Sequence, residues 1–144
     1  MPGVESALIS FGINVATAVF VAGAARLGRA AMGEEQERDL RRAFDKASAA
    51  MLGELVRDDA GSDELLRHYE DIFREFFGDE WVAETLVGVA LEQEAPPLEA
   101  LKGRFWEMGF DPQGLTMGFE RAMAVFVREL LDQLQTRHGS EGGR

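Results

Sequence analysis

Apolar and polar positions divide the chain into two unlike parts. Residues 6 to 25, SALISFGINVATAVFVAGAA, run for twenty positions without a charge, in the manner of a helix hydrophobic all round. After Gly33 the apolar positions recur every three or four residues, and no segment alternates in the way a half-buried strand does. Leu40, Phe44, Ala47, Met51 and Leu55 follow at steps of 4, 3, 4 and 4, which predicts a helix over 34 to about 57. Glu34, Glu35 and Glu37 favour its N-terminus through the helix dipole. Asp58-Asp59-Ala60-Gly61 ends it, and Ser62 caps the next, over 62 to 77, with Leu65, Tyr69, Ile72 and Phe76 as its stripe and Leu66, Phe73 and Phe77 beside it.

Gly78 and Asp79 mark a stop and a new cap, so a further helix is predicted from Glu80, burying Trp81, Val82, Leu86, Val89 and Ala90. Pro96-Pro97 breaks the chain, and Pro97 opens a short helix over 98 to 108, closed by Gly109. Phe110-Asp111-Pro112-Gln113-Gly114 has the composition of a tight turn. The last helix is expected over 115 to 138, with Phe119, Met123, Phe126, Leu130 and Leu134 inward. The expected fold is all-α: one bundle of five to six helices over 1–138, made of a hydrophobic N-terminal helix (5–32) and acidic amphipathic helices (33–138), then a flexible tail at 139–144.

The uncharged run decides what such a bundle does. Twenty residues at about 1.5 Å each reach across roughly 30 Å of hydrocarbon, so length alone permits a membrane span. Ser6, Ser10, Gly12, Asn14, Thr17 and Gly23 dilute it below a typical anchor, and Glu5 in place of a basic flank argues against a signal peptide. A helix apolar all round also suits the centre of a soluble bundle. Small residues recur four apart at Gly12 and Ala16, Ala18 and Ala22, and Ala24 and Gly28, a spacing that permits close helix approach in either setting.

Charge sharpens the division. Residues 1 to 32 hold Glu5, Arg26 and Arg29, a net of +1, whereas residues 33 to 140 hold 24 acids against 12 bases, a net of −12. The whole chain of 144 residues carries −11 and repels phosphate backbones. Arg38, Arg41 and Arg42, the densest basic cluster, are interleaved with Glu37 and Asp39, so no nucleic-acid partner is expected.

Little in the chain suggests catalysis. Without cysteine there are no disulfides, thiolate metal sites or thiol nucleophiles, and no glycine loop leads into Lys-Ser or Lys-Thr. None of the serines sits in a Gly-x-Ser-x-Gly elbow. Glu64, His68 and Asp71 share a helix face but lack the second Glu-x-x-His helix of a bundle di-metal site, while His138 suits a helix C-terminus. Asp58, Asp59 and Asp63 do not have calcium-loop spacing. No enzyme and no cofactor are expected.

Two stretches carry a resemblance. Glu5-Ser6-Ala7-Leu8-Ile9-Ser10-Phe11-Gly12, running on to Gly23-Ala24-Ala25-Arg26, resembles the N-terminal helical domains of bacterial NLR-like (NACHT or STAND) proteins. Met108-Gly109-Phe110-Asp111-Pro112, leading into Phe119-Glu120-Arg121-Ala122, resembles the distal part of such a domain. The likeness covers roughly 5–33 and 99–135, through loose motifs. Some of these domains, called Bell domains, are similar to fungal HeLo domains and to the four-helix executioner domain of the mixed-lineage kinase-like pseudokinase. The resemblance implies a membrane-active N-terminal helix, here Leu8, Ile9, Phe11, Ile13, Val15, Val19, Phe20 and Val21. It also implies self-association on activation, membrane lipid as a target and an NLR-like NTPase as partner in cis or in trans. No NTPase lies within the 144 residues, so an excised domain and a free-standing effector are both open.

The expected function is therefore a membrane-targeting cell-death effector, cytoplasmic until activation brings it to a membrane. The alternative is a soluble association module whose N-terminal helix is permanent core and whose partner surface is the aromatic stripe Phe73, Phe76 and Phe77.

Overall fold

Gly23 divides the N-terminal arm into two helices. In the computed structural model α1 spans Pro2–Ala22 and α2 spans Ala24–Ala30, with a bend of 73° between them. The break falls where the chain meets a neighbour, because a Cβ at Gly23 would stand 3.3 Å from Val87 Cγ2. The remaining helices are α3 (Glu34–Leu55), α4 (Asp63–Phe77), α5 (Glu80–Glu92), α6 (Leu98–Glu107) and α7 (Phe119–Gly142), with a single 3₁₀ turn at Pro112–Gly114. Seven α-helices thus replace the five to six expected, because a uniformly apolar arm hides its break from any reading of periodicity.

The structure describes the backbone of residues 2–57 and 63–142 and the side chains of 6–57 and 64–135. The loop at 58–61, the cap expected at Ser62, the side chains of Asp63 and His138, and residues 143–144 of the expected tail lie outside these described residues. Among them there is no strand.

Helix α3 is the centre of the bundle, packed between α1 and α7. Its five expected core positions, Leu40, Phe44, Ala47, Met51 and Leu55, are all buried, and its one buried polar side chain, Ser48, donates to the Phe44 carbonyl oxygen at 2.7 Å. At its start, Gln36 Oε1 accepts from the backbone N–H of Gly33 at 3.0 Å. Helices α4 and α5 close the other side of α1, α2 lies across α5, and α6 covers α7.

Local chemistry sets the joints. Asp79 caps α5 by accepting from the Val82 N–H at 3.1 Å, and its carboxylate also takes a 2.5 Å bond from Arg104 of α6. Gly109, with φ +94°, closes α6 as expected, letting the Phe110 N–H reach back to the Phe105 carbonyl. The last helix begins at Phe119, later than expected, because the preceding residues are tied elsewhere. The Thr116 N–H donates to the Tyr69 hydroxyl at 3.1 Å, and the Thr116 hydroxyl donates at 2.7 Å to the Leu55 carbonyl at the end of α3. The α7 backbone is helical past His138, to Gly142.

One expected face is rotated and one expected core residue is outside, while Val82, Leu86, Val89 and Ala90 of α5 are buried as expected. On α4, Leu66, Tyr69, Phe73, Phe76 and Phe77 are buried while Leu65 and Ile72 are half-buried, so the inward direction lies beside the expected stripe. Trp81, expected inside, is 44% exposed at the start of α5.

Candidate functional site

Helix α1 has no charged stripe, but its uncharged polar residues Ser6, Ser10, Asn14 and Thr17 fall at steps of 4, 4 and 3 on the side left exposed. Phe11, Val15, Ala16, Val19 and Phe20 face the core. Gly12 permits the close approach to α3, since a Cβ there would meet the backbone and carboxylate of Asp45. Leu8 is half-buried near Gly53 of α3. Ile9, Ile13 and Val21 point outward, at 60, 51 and 73% exposure, accompanied by Ser6, Ser10, Asn14 and Thr17. The eight residues named for the membrane-active helix are therefore divided: four are core, one is intermediate and three form an outer row.

The small residues are divided as well. Gly12 and Ala16 line the α1–α3 seam, Ala18 lies near Gly78 at the end of α4, and Ala22 is half-buried against the core. Ala24 and Gly28 are exposed on α2, and a Cβ at Gly28 would meet nothing within 4 Å. The four-residue spacing marks a packing seam only at its first pair.

No single described helix is long and apolar enough to cross a membrane; 6–22 and Ala24–Ala30 reach that length and composition only as a bent pair. Helix α2 buries no residue fully; Leu27 packs half-buried against the core, and Arg26 lies 2.9 Å from Glu92 and Arg29 3.8 Å from Glu84 of α5.

Beside the outer row of α1 runs a groove of about 460 Å³ against α3, lined by Ile13, Ala16, Thr17, Arg38, Arg41, Arg42, Asp45 and Lys46. The Arg41 guanidinium lies 4.6 Å over the ring of Phe20, which closes the core at this edge. Burial pushes the Asp45 carboxyl above the usual aspartate range, against the opposing pull of Lys46 and Arg42. The sequence reading missed this basic face because it weighed neighbours along the chain. The signal was present in the helical spacing: 38, 41, 42 and 46 share one side of α3, with Asp45 among them and Asp39, three residues before Arg42 and seven before Lys46, at its border.

The aromatic stripe is a correction. Phe73, Phe76 and Phe77 are fully buried, so in this fold they offer no surface to a partner. Phe76 lies 5.1 Å from Phe105 and 5.8 Å from Phe119, and Phe77 lies 4.9 Å from Phe126, so the stripe is the junction of α4 with α6 and α7. A wide aromatic face on an amphipathic helix gives the same pattern whether a partner or its own bundle covers it.

His68 is exposed with its ring against Tyr69, Asp71 pairs with Arg74 at 3.7 Å, and no three metal-ligating side chains converge among the described residues. A second groove, between α6 and the Pro112–Gly114 turn, is floored by Trp106, but Glu99 and Glu120 occupy its Lys102 at 3.6 and 2.6 Å. Comparisons with family models, with curated proteins and with solved structures return no match. The fold alone therefore places the chain, as an all-helical domain with a bent and moderately apolar N-terminal helix pair.

Proposed function

We propose that the domain is a membrane-directed helical effector, of the cell-death kind that its resemblance to NLR-like N-terminal domains implies, with α1 as the lipid-contacting element. The observation that carries this reading is the outer row Ile9, Ile13 and Val21, exposed on a helix that has no charge from position 6 onward. In water such a row is unfavourable, and at the headgroup boundary of a bilayer its burial is favourable. Its polar members are small and uncharged. The Thr17 hydroxyl already donates to the Ile13 carbonyl at 3.0 Å, so it enters an apolar layer without a stranded donor.

The inner face limits how α1 acts. Phe11, Val15, Val19 and Phe20 are together worth roughly 6–12 kcal/mol of burial at about 1.5–3 kcal/mol each. A domain of this size has about 5–15 kcal/mol of total stability, so withdrawing α1 amounts to unfolding the bundle. First contact therefore uses the outer row with α1 in place. Self-association would gather several rows, and their combined attachment offsets the repulsion between an acidic body and an anionic leaflet. An NLR-like NTPase, in cis or in trans, is the partner class that would gather them, from a cytoplasmic resting state.

The same burial favours one other reading, a soluble association module in which α1 is permanent core and its outer row meets a second protein. Dye release from liposomes separates the two. The membrane reading predicts release by the wild-type chain and none by Ile13→Glu, with both folded. Intact liposomes, together with a wild-type dimer that Ile13→Glu dissociates, would establish the association module.

A further inference from the structure

The cations on α3 lie where a membrane-docked α1 would place lipid headgroups. Arg38, Arg41, Arg42 and Lys46 border the groove whose other wall carries Ile13 of the outer row, so one plane touches both sets. Several cations elsewhere are paired, Arg26 with Glu92, Arg104 with Asp79 and Lys102 with Glu120, while Arg67, Arg121 and Arg128 form no ion pair among the described residues but stand singly rather than around one groove. Among the described residues Arg38, Arg42 and Lys46 form no ion pair, and Arg41 is engaged by the ring of Phe20. Asp45, the one carboxylate lining the groove, is tucked against Gly12, Glu37 lines the neighbouring groove together with Arg41, and Asp39 borders the same side of α3. Four cations and one carboxylate leave the groove at +3 on a chain of −11.

We propose that this groove binds the anionic headgroups of a membrane leaflet, with Ile9, Ile13 and Val21 seated in the acyl boundary below them and α1 still packed on α3. The inference rests on the membrane reading above and adds to it the class of lipid and the side of the bundle that meets it. An acidic body is repelled by an anionic surface in most orientations, and a local basic face beside an apolar row selects the one orientation that is attracted. Long aliphatic stems let the arginines and Lys46 reach phosphate oxygens while the helix stays level with the interface.

Flotation of the full chain with vesicles of phosphatidylcholine alone, or mixed with phosphatidylglycerol, tests the proposal. The wild-type chain should prefer the anionic vesicles and lose that preference as salt is raised. The triple variant Arg38→Gln, Arg42→Gln, Lys46→Gln should lose about a hundredfold in affinity for them, the effect of three cations near an anionic leaflet. Arg42→Lys alone should bind as the wild type does, and millimolar inorganic phosphate should not release the bound protein. Equal binding to both vesicles, an unaffected triple variant, or release by inorganic phosphate would overturn the headgroup site and leave the membrane reading standing. Failure of the wild-type chain to bind either vesicle would overturn the membrane reading itself.

Discussion

Gly12 on α1 and Asp45 on α3 approach so closely that a methyl group at position 12 would stand 2.6 Å from the Asp45 carbonyl oxygen, and nearer still to its carboxylate. That contact ties the uncharged arm to the centre of the bundle. Replacing a helical glycine by alanine ordinarily gains up to about 1 kcal/mol, but overpacking of this kind costs about 1–3 kcal/mol. Gly12→Ala is therefore expected to lower the urea midpoint. Gly28→Ala, which meets nothing within 4 Å, is expected to raise it.

Phe20 and Ile13 lie two turns apart in role, though both were read as one apolar helix. Phe20 is buried beneath Arg41, its ring edge-on to Phe44 at 6.4 Å, whereas Ile13 is half in solvent. Phe20→Glu buries an unpaired charge and should unfold the domain, so any loss of membrane activity in it would be uninformative. Ile13→Glu should leave thermal stability within about 0.5 kcal/mol of wild type, as a surface change does, while removing vesicle binding.

The body was legible from sequence where the period is strong. The α3 face from Leu40 to Leu55 and the α7 core positions Phe119, Met123, Phe126, Leu130 and Leu134 are all buried as their spacing implies. The arm was only partly legible. Its polar residues Ser6, Ser10, Asn14 and Thr17, at steps of 4, 4 and 3, mark the exposed side of α1 and so its division from Phe11, whereas the bend at Gly23 could not be read, because small apolar residues flank it on both sides. The basic groove was hidden for a different reason: its residues alternate with acids in sequence, and their local excess over Asp45 emerges only when α3 is packed against α1. Burial of Phe76 could not be told from a partner surface, because both need the same stripe.

Asp79 links a helix cap to an interhelical ion pair, and its pH dependence follows. The hydrogen bond from Arg104 holds its carboxyl below the usual aspartate range, ahead of the opposing effect of burial. A depressed folded value means the pairing contributes fully above the ordinary aspartate pKa, weakens below it, and is lost as pH falls through the lower folded value. Asp79→Asn, which keeps a capping oxygen, should be less stable than wild type at neutral pH and approach it below about pH 4. Asp79→Ala also loses the cap, about 1 kcal/mol, and should stay less stable throughout.

Phe76 sits at the meeting of α4, α6 and α7, with Phe77, Phe105 and Phe119 around it. Phe76→Ala is expected to cost about 3–5 kcal/mol in denaturant unfolding. A change under 1 kcal/mol would show that this junction is not packed as described.

Helix α2 has ion pairs but no fully buried side chain, whereas α1 has a buried face. Amide hydrogen exchange should therefore be faster across 24–30 than across 11–20, and raised salt should accelerate only the former.

In the proposed function the outer row of α1 is the surface that meets the membrane. The chain has no cysteine, so Ile13→Cys carries a single environment-sensitive fluorophore at that row, and Glu75→Cys, at an exposed position of α4, serves as the control. With anionic vesicles, the label at position 13 should shift to shorter wavelength and gain intensity while the label at position 75 stays unchanged. Emission from position 13 that is unaltered by vesicles, with the chain bound to them, would contradict it.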